Sequence, residues 1–225
     1  MAAMIRVFAS LAVLCTSALP ASAEPILVEL FASQNCAACP PAHKTLHQVR
    51  EERDDVLILT WSVDYWDYLG EPDPMAMEMS TTRQAAYADL FHLRGPYTPQ
   101  TVYNGAEQCP GNRPSQVARR LDSAEARRAE EAEEGSPPNQ IAFQETEYGW
   151  AVSVPPGLSS DVHLIQFRND GDHETEMVNP VTDFVKLSHL PFGGAVSLSP
   201  TCESGCALLV QAPGHGAVFA SHRLK

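Results

Sequence analysis

Two cysteines three residues apart, Cys36-Ala37-Ala38-Cys39, stand where a buried apolar run over 26 to 31 passes into a helical pattern that opens with Pro40-Pro41. A C-x-x-C delivered to a helix start is a redox site in the making, because the positive helix end and its unpaired backbone N–H groups favour a thiolate. Cys36 is then the nucleophile that attacks a disulfide sulfur, and Cys39 resolves the mixed disulfide. Run backwards, the same steps oxidise a dithiol. The two alanines between the cysteines carry no charge or hydrogen-bonding group from which a direction follows.

The elements that must hold this pair are readable from spacing. Residues 26 to 31 form a continuous apolar run broken only by Glu29, as expected of a strand covered on both faces. From Pro40 to about Glu52, Ala42, Leu46 and Val49 recur at helical intervals, with both prolines in the first turn, where their missing N–H groups cost nothing. Residues 56 to 63 read as a second buried strand, so the two strands should be parallel with a right-handed crossover. A helix is expected over 81 to 92, with Ala85, Ala86, Leu90 and Phe91 on one face, ended by Gly95-Pro96. A strand over 100 to 103, a tight Asn104-Gly105 turn and a returning strand over 106 to 108 follow. Ser115 is the expected N-cap of a helix to about Glu134, with Val117 and Leu121 inward and the later half solvated. Gly135-Ser-Pro-Pro138 is the clearest boundary. Beyond it, short β-rich runs over 141 to 143, 150 to 154, 162 to 167, 195 to 198, 207 to 211 and 217 to 221 suggest a small antiparallel sheet or sandwich, or a sheet extension packed on the first domain.

Arg6, the apolar stretch from Val7 to Leu14 and Ala21-Ser22-Ala23 read as a secretory leader over 1–23, cleaved near Ala23. The apolar stretch is shorter than the roughly 20 residues a spanning helix needs, so no stable membrane anchor is expected. Without the leader, which holds one basic and no acidic residue, the net charge of −13 becomes −14. Such acidity argues against nucleic-acid binding and is explained by solubility. Five cysteines remain, and export implies an oxidising compartment in which pairs become disulfides, leaving one thiol over. Cys202-Glu-Ser-Gly-Cys206 is favoured as a local bridge with Cys109 free; Cys109 paired with either, or a second redox pair, are the alternatives.

Several other residues carry possible chemistry. Glu29 lies seven before Cys36, and a buried carboxylate tends to hold a proton; it either exchanges that proton with Cys39 or sits solvated or salt-bridged at a strand edge. Thr98-Pro99, just before the third strand, is a candidate cis bond, which would leave the Thr98 backbone open to an incoming substrate strand. Tyr65 and Trp66, in the aromatic stretch after the second strand, are candidates for gripping substrate, whereas Trp61 reads as core and Asp64 and Asp67 as turn caps. His43 and His47 fall on one helix face at i+4 and i+8 from Cys39. A metal site from Cys36, Cys39 and His43 is the alternative to exposed histidines, but no second ligand pair has suitable spacing. No G-x-G-x-x-G, Walker loop or C-x-x-C-H points to a bound cofactor.

The order β-α-β-α-β-β-α, with C-x-x-C at the first strand-to-helix junction and a proline before the third strand, resembles the thioredoxin arrangement. Three motifs sharpen the resemblance: Phe31-Ala-Ser-Gln-Asn-Cys36-Ala-Ala-Cys39-Pro-Pro-Ala42, Val63-Asp-Tyr-Trp-Asp-Tyr-Leu-Gly70 and Tyr97-Thr-Pro-Gln-Thr-Val-Tyr-Asn-Gly105. Together they resemble a family of secreted bacterial proteins classed as a domain of unknown function with a thioredoxin-like fold. The resemblance implies that fold and a cysteine pair at Cys36 and Cys39. Asn35 replaces a usual glycine, His43 stands where an aspartate is common, and Cys109, Cys202 and Cys206 look like additions.

The expectation is therefore an α/β chain, with a thioredoxin-like fold over 24–135 followed by a smaller, mostly β region over 139–225. The expected function is an exported, periplasmic or secreted thiol-disulfide oxidoreductase. Its partners would be protein or peptide thiols and disulfides and a further redox protein. The rivals are a copper-handling protein using Cys36, Cys39 and His43, and a non-catalytic binding module in which Cys36–Cys39 is structural.

Overall fold

A computed structural model describes residues 24–135, 140–169 and 177–224. The expected leader over 1–23, and all of the Gly135 to Pro138 boundary except Gly135, lie outside the described residues. Among the described residues, three α-helices and three sheets make a mixed α/β fold. Strand β1 (Ile26–Ala32) pairs in parallel with β2 (Val56–Ser62), from Ile26↔Val56 to Ala32↔Ser62, and helix α1 (Pro40–Glu52) joins them. Helix α2 (Glu78–Leu90) leads to β3 (Gln100–Tyr103), antiparallel to β1, and β4 (Glu107–Pro110) pairs back onto β3. The sheet order is β2-β1-β3-β4, and α3 (Pro114–Glu134) follows.

Alternation along β1 explains its unbroken apolar sequence. Ile26, Val28, Leu30 and Ala32 face Ala42 and Leu46 of α1 and Val117, Leu121 and Ala124 of α3. Leu27 and Phe31 face Tyr87 of α2 and the second half of the chain. Both faces are covered, so both parities must be apolar or internally paired.

Two helices depart from expectation. Helix α2 starts three residues early and buries Ser80, Arg83, Gln84, Tyr87 and Ala88, leaving Leu90 exposed. Its inward side chains are mostly polar, and Arg83, Gln84 and Tyr87 find hydrogen-bond partners inside, so an apolar stripe was the wrong marker. Helix α3 begins at Pro114 with Arg113 at the N-cap position and no side-chain cap. The fixed φ of proline sets that start, which puts Ser115 inside the first turn.

The second half supplies two layers. Strands β5 (Ala142–Thr146), β6 (Gly149–Val154) and β9 (Gly194–Leu198) form a three-stranded sheet. Strands β7 (Ser160–Phe167), β8 (Val181–Leu190), β10 (Gly205–Gln211) and β11 (Val218–Leu224) form a four-stranded one in the order β11-β10-β7-β8. This last sheet is the middle layer. Val162, Leu164, Leu208 and Val210 pack toward Val152 and Val154. Ile165, Phe167, Ala207 and Leu209 pack toward Leu27, Leu57, Leu59 and Trp61. The two halves thus share one core. Strand β8 escaped the sequence reading because bulges opposite Val162/His163 and Gln166/Phe167 break its period of two. Its apolar residues Val181, Phe184, Leu187 and Leu190 recur every three positions instead.

Two contacts fix the layers. The outer edge of β2 is closed by residues 177–180: Thr60 N–H donates to Asn179 O, Asn179 Nδ2 to Ile58 O (2.7 Å) and Thr60 Oγ1 to Val178 O (2.8 Å). The β3–β4 turn docks on the β10–β11 loop through Val218 N–H to Asn104 O, 2.8 Å. Gly105 sits there at φ +61, and a Cβ would stand 2.7 Å from Gly216 O, so only glycine fits.

Candidate functional site

Cys36 and Cys39 are joined as a disulfide with their Cα atoms 5.4 Å apart. The loop that carries them is tightly wound: Cys36 N–H donates to Ser33 O and Cys39 N–H to Cys36 O. Cys39 is the N-cap residue of α1, and its carbonyl accepts from Ala42 and His43. Pro40 and Pro41 fill the first two helical positions and have no N–H. The expected stabilisation of a thiolate by free helix N–H groups is reduced accordingly, and the aligned dipole of α1 remains. Cys36 is 6% exposed and Cys39 1%, so the first sulfur is the more accessible.

The loop after β2 holds this turn in place. Gln34 Nε2 donates to Glu71 O and Pro72 O, both at 3.0 Å, and Asn35 Nδ2 donates to Glu71 O at 2.9 Å. Gln34 N–H donates to the buried Asp73 carboxylate at 2.9 Å. Asp67 Oδ1 accepts from Asp73 N–H within the loop, whereas Asp64 Oδ1 accepts from the Thr81 hydroxyl and ties the loop to α2 instead of capping a turn. Trp61 is fully buried. Tyr65 donates to Gln84 Oε1 at 3.0 Å, and burial pushes its pKa up to about 12, which keeps it a neutral donor.

Trp66 packs against the cluster that contains Cys36 and Cys39, and its indole N–H donates to Thr98 Oγ1 at 2.8 Å. The Thr98–Pro99 peptide bond is cis. Tyr97 O is taken by Gln84 Nε2 and Pro99 O by Gly111 N–H. Among the described residues, no backbone hydrogen bond within the chain engages the N–H or C=O of Thr98. Trp66 thus links Thr98 to the cluster that holds the cysteines, whereas Tyr65 packs against the cluster on the other face of the sheet.

Glu29 is not. Its odd position on β1 points it to the face opposite the cysteines, where Arg83 meets it at 2.6 and 3.1 Å and Tyr87 OH donates to it at 2.6 Å. Proton exchange with Cys39 is replaced by a fully buried ion pair. Burial opposes the Arg83 charge, but the Glu29 carboxylate overcomes it and holds the guanidinium above its ordinary pKa; burial also raises Tyr87 well above its own. Arg83 lies over the rings of Trp61, Tyr87 and Phe184 at 5.0–5.1 Å and donates to Gln211 Oε1 and His215 Nδ1. The sequence signal for this pair was Glu29 itself: a carboxylate in a covered strand demands a cation, and Arg83 stands on the helix that covers it.

His43 is a second correction. Expected on an exposed face, it is 6% exposed. Among the described residues no three His, Cys, Asp or Glu side chains are grouped to hold a metal ion, and Cys36 and Cys39 are bonded to each other. Cys202 and Cys206 are bridged at the entry to β10, and Cys109 is a buried free thiol beside Thr101 and Tyr103.

The fold and site define a mixed α/β protein with a cysteine pair closed at the start of its first helix. The chain belongs to the family described as protein of unknown function (DUF1223), whose model matches residues 27–175. Its fold is similar to the crystal structure of protein AGR_C_4864 from Agrobacterium tumefaciens, at 26% identity and TM-score 0.70, over 91% of this chain and 95% of that one. HBP35 of Porphyromonas gingivalis is similar in fold alone, at 10% identity and TM-score 0.53, over 89% of this chain and 74% of that one. No curated protein matches the chain.

Proposed function

We propose that the protein is an exported, thioredoxin-like thiol-disulfide oxidoreductase acting on protein or peptide disulfides, with Cys36 as nucleophile and Cys39 as resolving thiol. In this reading residues 24–135 are the thioredoxin-like unit, and the β-rich residues after 139 cover its second face. The observation that carries it is the closed Cys36–Cys39 pair at the α1 N-cap, linked to the cis Thr98–Pro99 segment through Trp66, which packs on the cysteines' cluster and donates to Thr98. In the reducing direction, the Cys36 thiolate bonds one substrate sulfur and expels the other; Cys39 then attacks Cys36, releasing the second substrate thiolate. The oxidising direction retraces these steps.

The test is the reduction potential of Cys36–Cys39, found by equilibration against glutathione with mass spectrometry assigning each thiol. A potential between about −120 and −270 mV is expected of a catalytic pair, and a value below about −300 mV would mark an inert bridge and end the proposal. Cys39→Ser should accumulate a mixed disulfide with substrate, and Cys36→Ser should not.

A further inference from the structure

We infer that this site selects extended polypeptides that carry an apolar side chain and a positive charge beside the reacting cysteine, read by Tyr68, Leu69 and Glu71. The inference rests on the redox reading above and names its partner.

Tyr68 and Leu69 are 77% and 55% exposed, yet they do not sit on a loose loop. They belong to a single 3₁₀ turn, Asp67–Leu69, tied down on both sides. Before it, Trp66 is bonded to Thr98; after it, the Glu71 and Pro72 carbonyls are held by Gln34 and Asn35 of the cysteine loop. The Tyr68 ring stacks on Trp66 with centroids 6.3 Å apart and planes at 28°. Trp66 in turn packs on the cluster that contains the cysteines. An aromatic ledge thus leads from the disulfide out to solvent, ordered by the same bonds that order the redox loop.

A fold gains little by fixing a tyrosine and a leucine in water, whereas a partner that lays an apolar side chain on them gains buried area without paying to order the ledge. Its main chain meets the open N–H and C=O of Thr98, the mode by which an extended strand is recognised. Charge sets the rest. Glu71 is exposed, and its backbone oxygen rather than its carboxylate holds the clamp, so the carboxylate is available to a cation. The chain as a whole carries −13, which steers basic segments toward it and acidic ones away.

The test is a single turnover of the full-length oxidised protein. A linear dithiol peptide gives up two electrons and two protons and closes its own disulfide, while the Cys36–Cys39 bond breaks and takes them, so no other oxidant enters. Three reductants are compared: a peptide with Phe and Lys beside its first cysteine, the same peptide with Gly and Glu there, and dithiothreitol, which is too small to span the ledge. The Phe-Lys peptide is expected to react about tenfold faster than the Gly-Glu peptide. Tyr68→Ser with Leu69→Ser should lower the ratio of its rate to that of dithiothreitol by about tenfold. Glu71→Lys, made separately, should reverse the preference for Lys over Glu. Equal rates for both peptides, or ratios unmoved by these variants, overturn the inference. A disulfide that dithiothreitol itself leaves closed overturns the redox reading instead, so the two failures are distinct.

Discussion

The two faces of the first sheet are built by opposite means. On the face toward α1 and α3, Val28, Leu30 and Ala32 meet Ala42, Leu46, Val117 and Leu121, and the cysteine pair sits in this apolar packing. On the other face, one residue along the same strand, Glu29 is locked to Arg83 and Tyr87, and the network runs on into Gln211 and His215 of the second half. The first face keeps the Cys36–Cys39 disulfide in surroundings of low polarity, next to the start of a helix. The second uses charge to fix which sheet packs where, since an ion pair without its partner is far costlier than an apolar mismatch. The difference teaches that the buried charge in this molecule serves assembly, and that the placement of the cysteine pair depends on α1 and on the loop that clamps it.

That division can be broken most severely at Arg83. Arg83→Met leaves Glu29 buried without its cation, and urea denaturation should show a loss of about 3–5 kcal/mol, most of it recovered when Glu29→Gln is added. A shift of more than about 30 mV in the Cys36–Cys39 potential of the folded double variant would show that the faces are coupled after all. Leu209→Ala, in the core shared by both halves, should cost about 2–5 kcal/mol and leave a single unfolding transition; separate transitions would mean that the halves are independent.

Proton uptake sharpens the contrast further. Burial, with Arg83 adding to it, pushes His163 down from 6.5 to about 3, and burial and Arg83 move His215 the same way. The unfolded chain binds protons below pH 6.5 that the folded chain refuses, so stability falls as pH drops from 6.5 toward 3. For His163 alone the loss should reach ~2 kcal/mol by pH 5, and His163→Leu should flatten the curve measured by thermal melts between pH 5 and 7. The smallest effect belongs to the other face. Gln34→Ala removes the two side-chain bonds to Glu71 O and Pro72 O, and should cost about 1 kcal/mol and speed amide exchange through residues 67–73.

Much of this arrangement was legible beforehand where one residue type has one physical use. Prolines 40 and 41 marked the helix start, Asn104-Gly105 the hairpin and Thr98-Pro99 the cis bond. Cys202 and Cys206 marked a local bridge. Reading failed where a polar side chain was inside for the sake of another polar side chain. Arg83, Gln84 and Tyr87 made the buried side of α2 look like its wet side, and His43, a polar type on α1, looked exposed although it is buried. Glu29 was recognised as anomalous, but its partner lies 54 positions later, and only the parity of β1 says which face it serves. Strand β8 failed differently, because its bulges erased the alternation by which a strand is known.

The last strand rests against the first: Ser221 Oγ donates to Pro25 O at 3.1 Å, and Val218 N–H closes the turn at Asn104. Ribosomes make chains from the other end. The cysteine turn and α1 are finished while Leu27, Phe31 and Leu57 still wait for the strands that will cover them, and Glu29 meets Arg83 long before Gln211 exists. A message cut short between residues 135 and 205 yields a chain with Cys36 and Cys39 in place and its central sheet without the cover of β10 and β11, a fragment fit for a protease rather than for service.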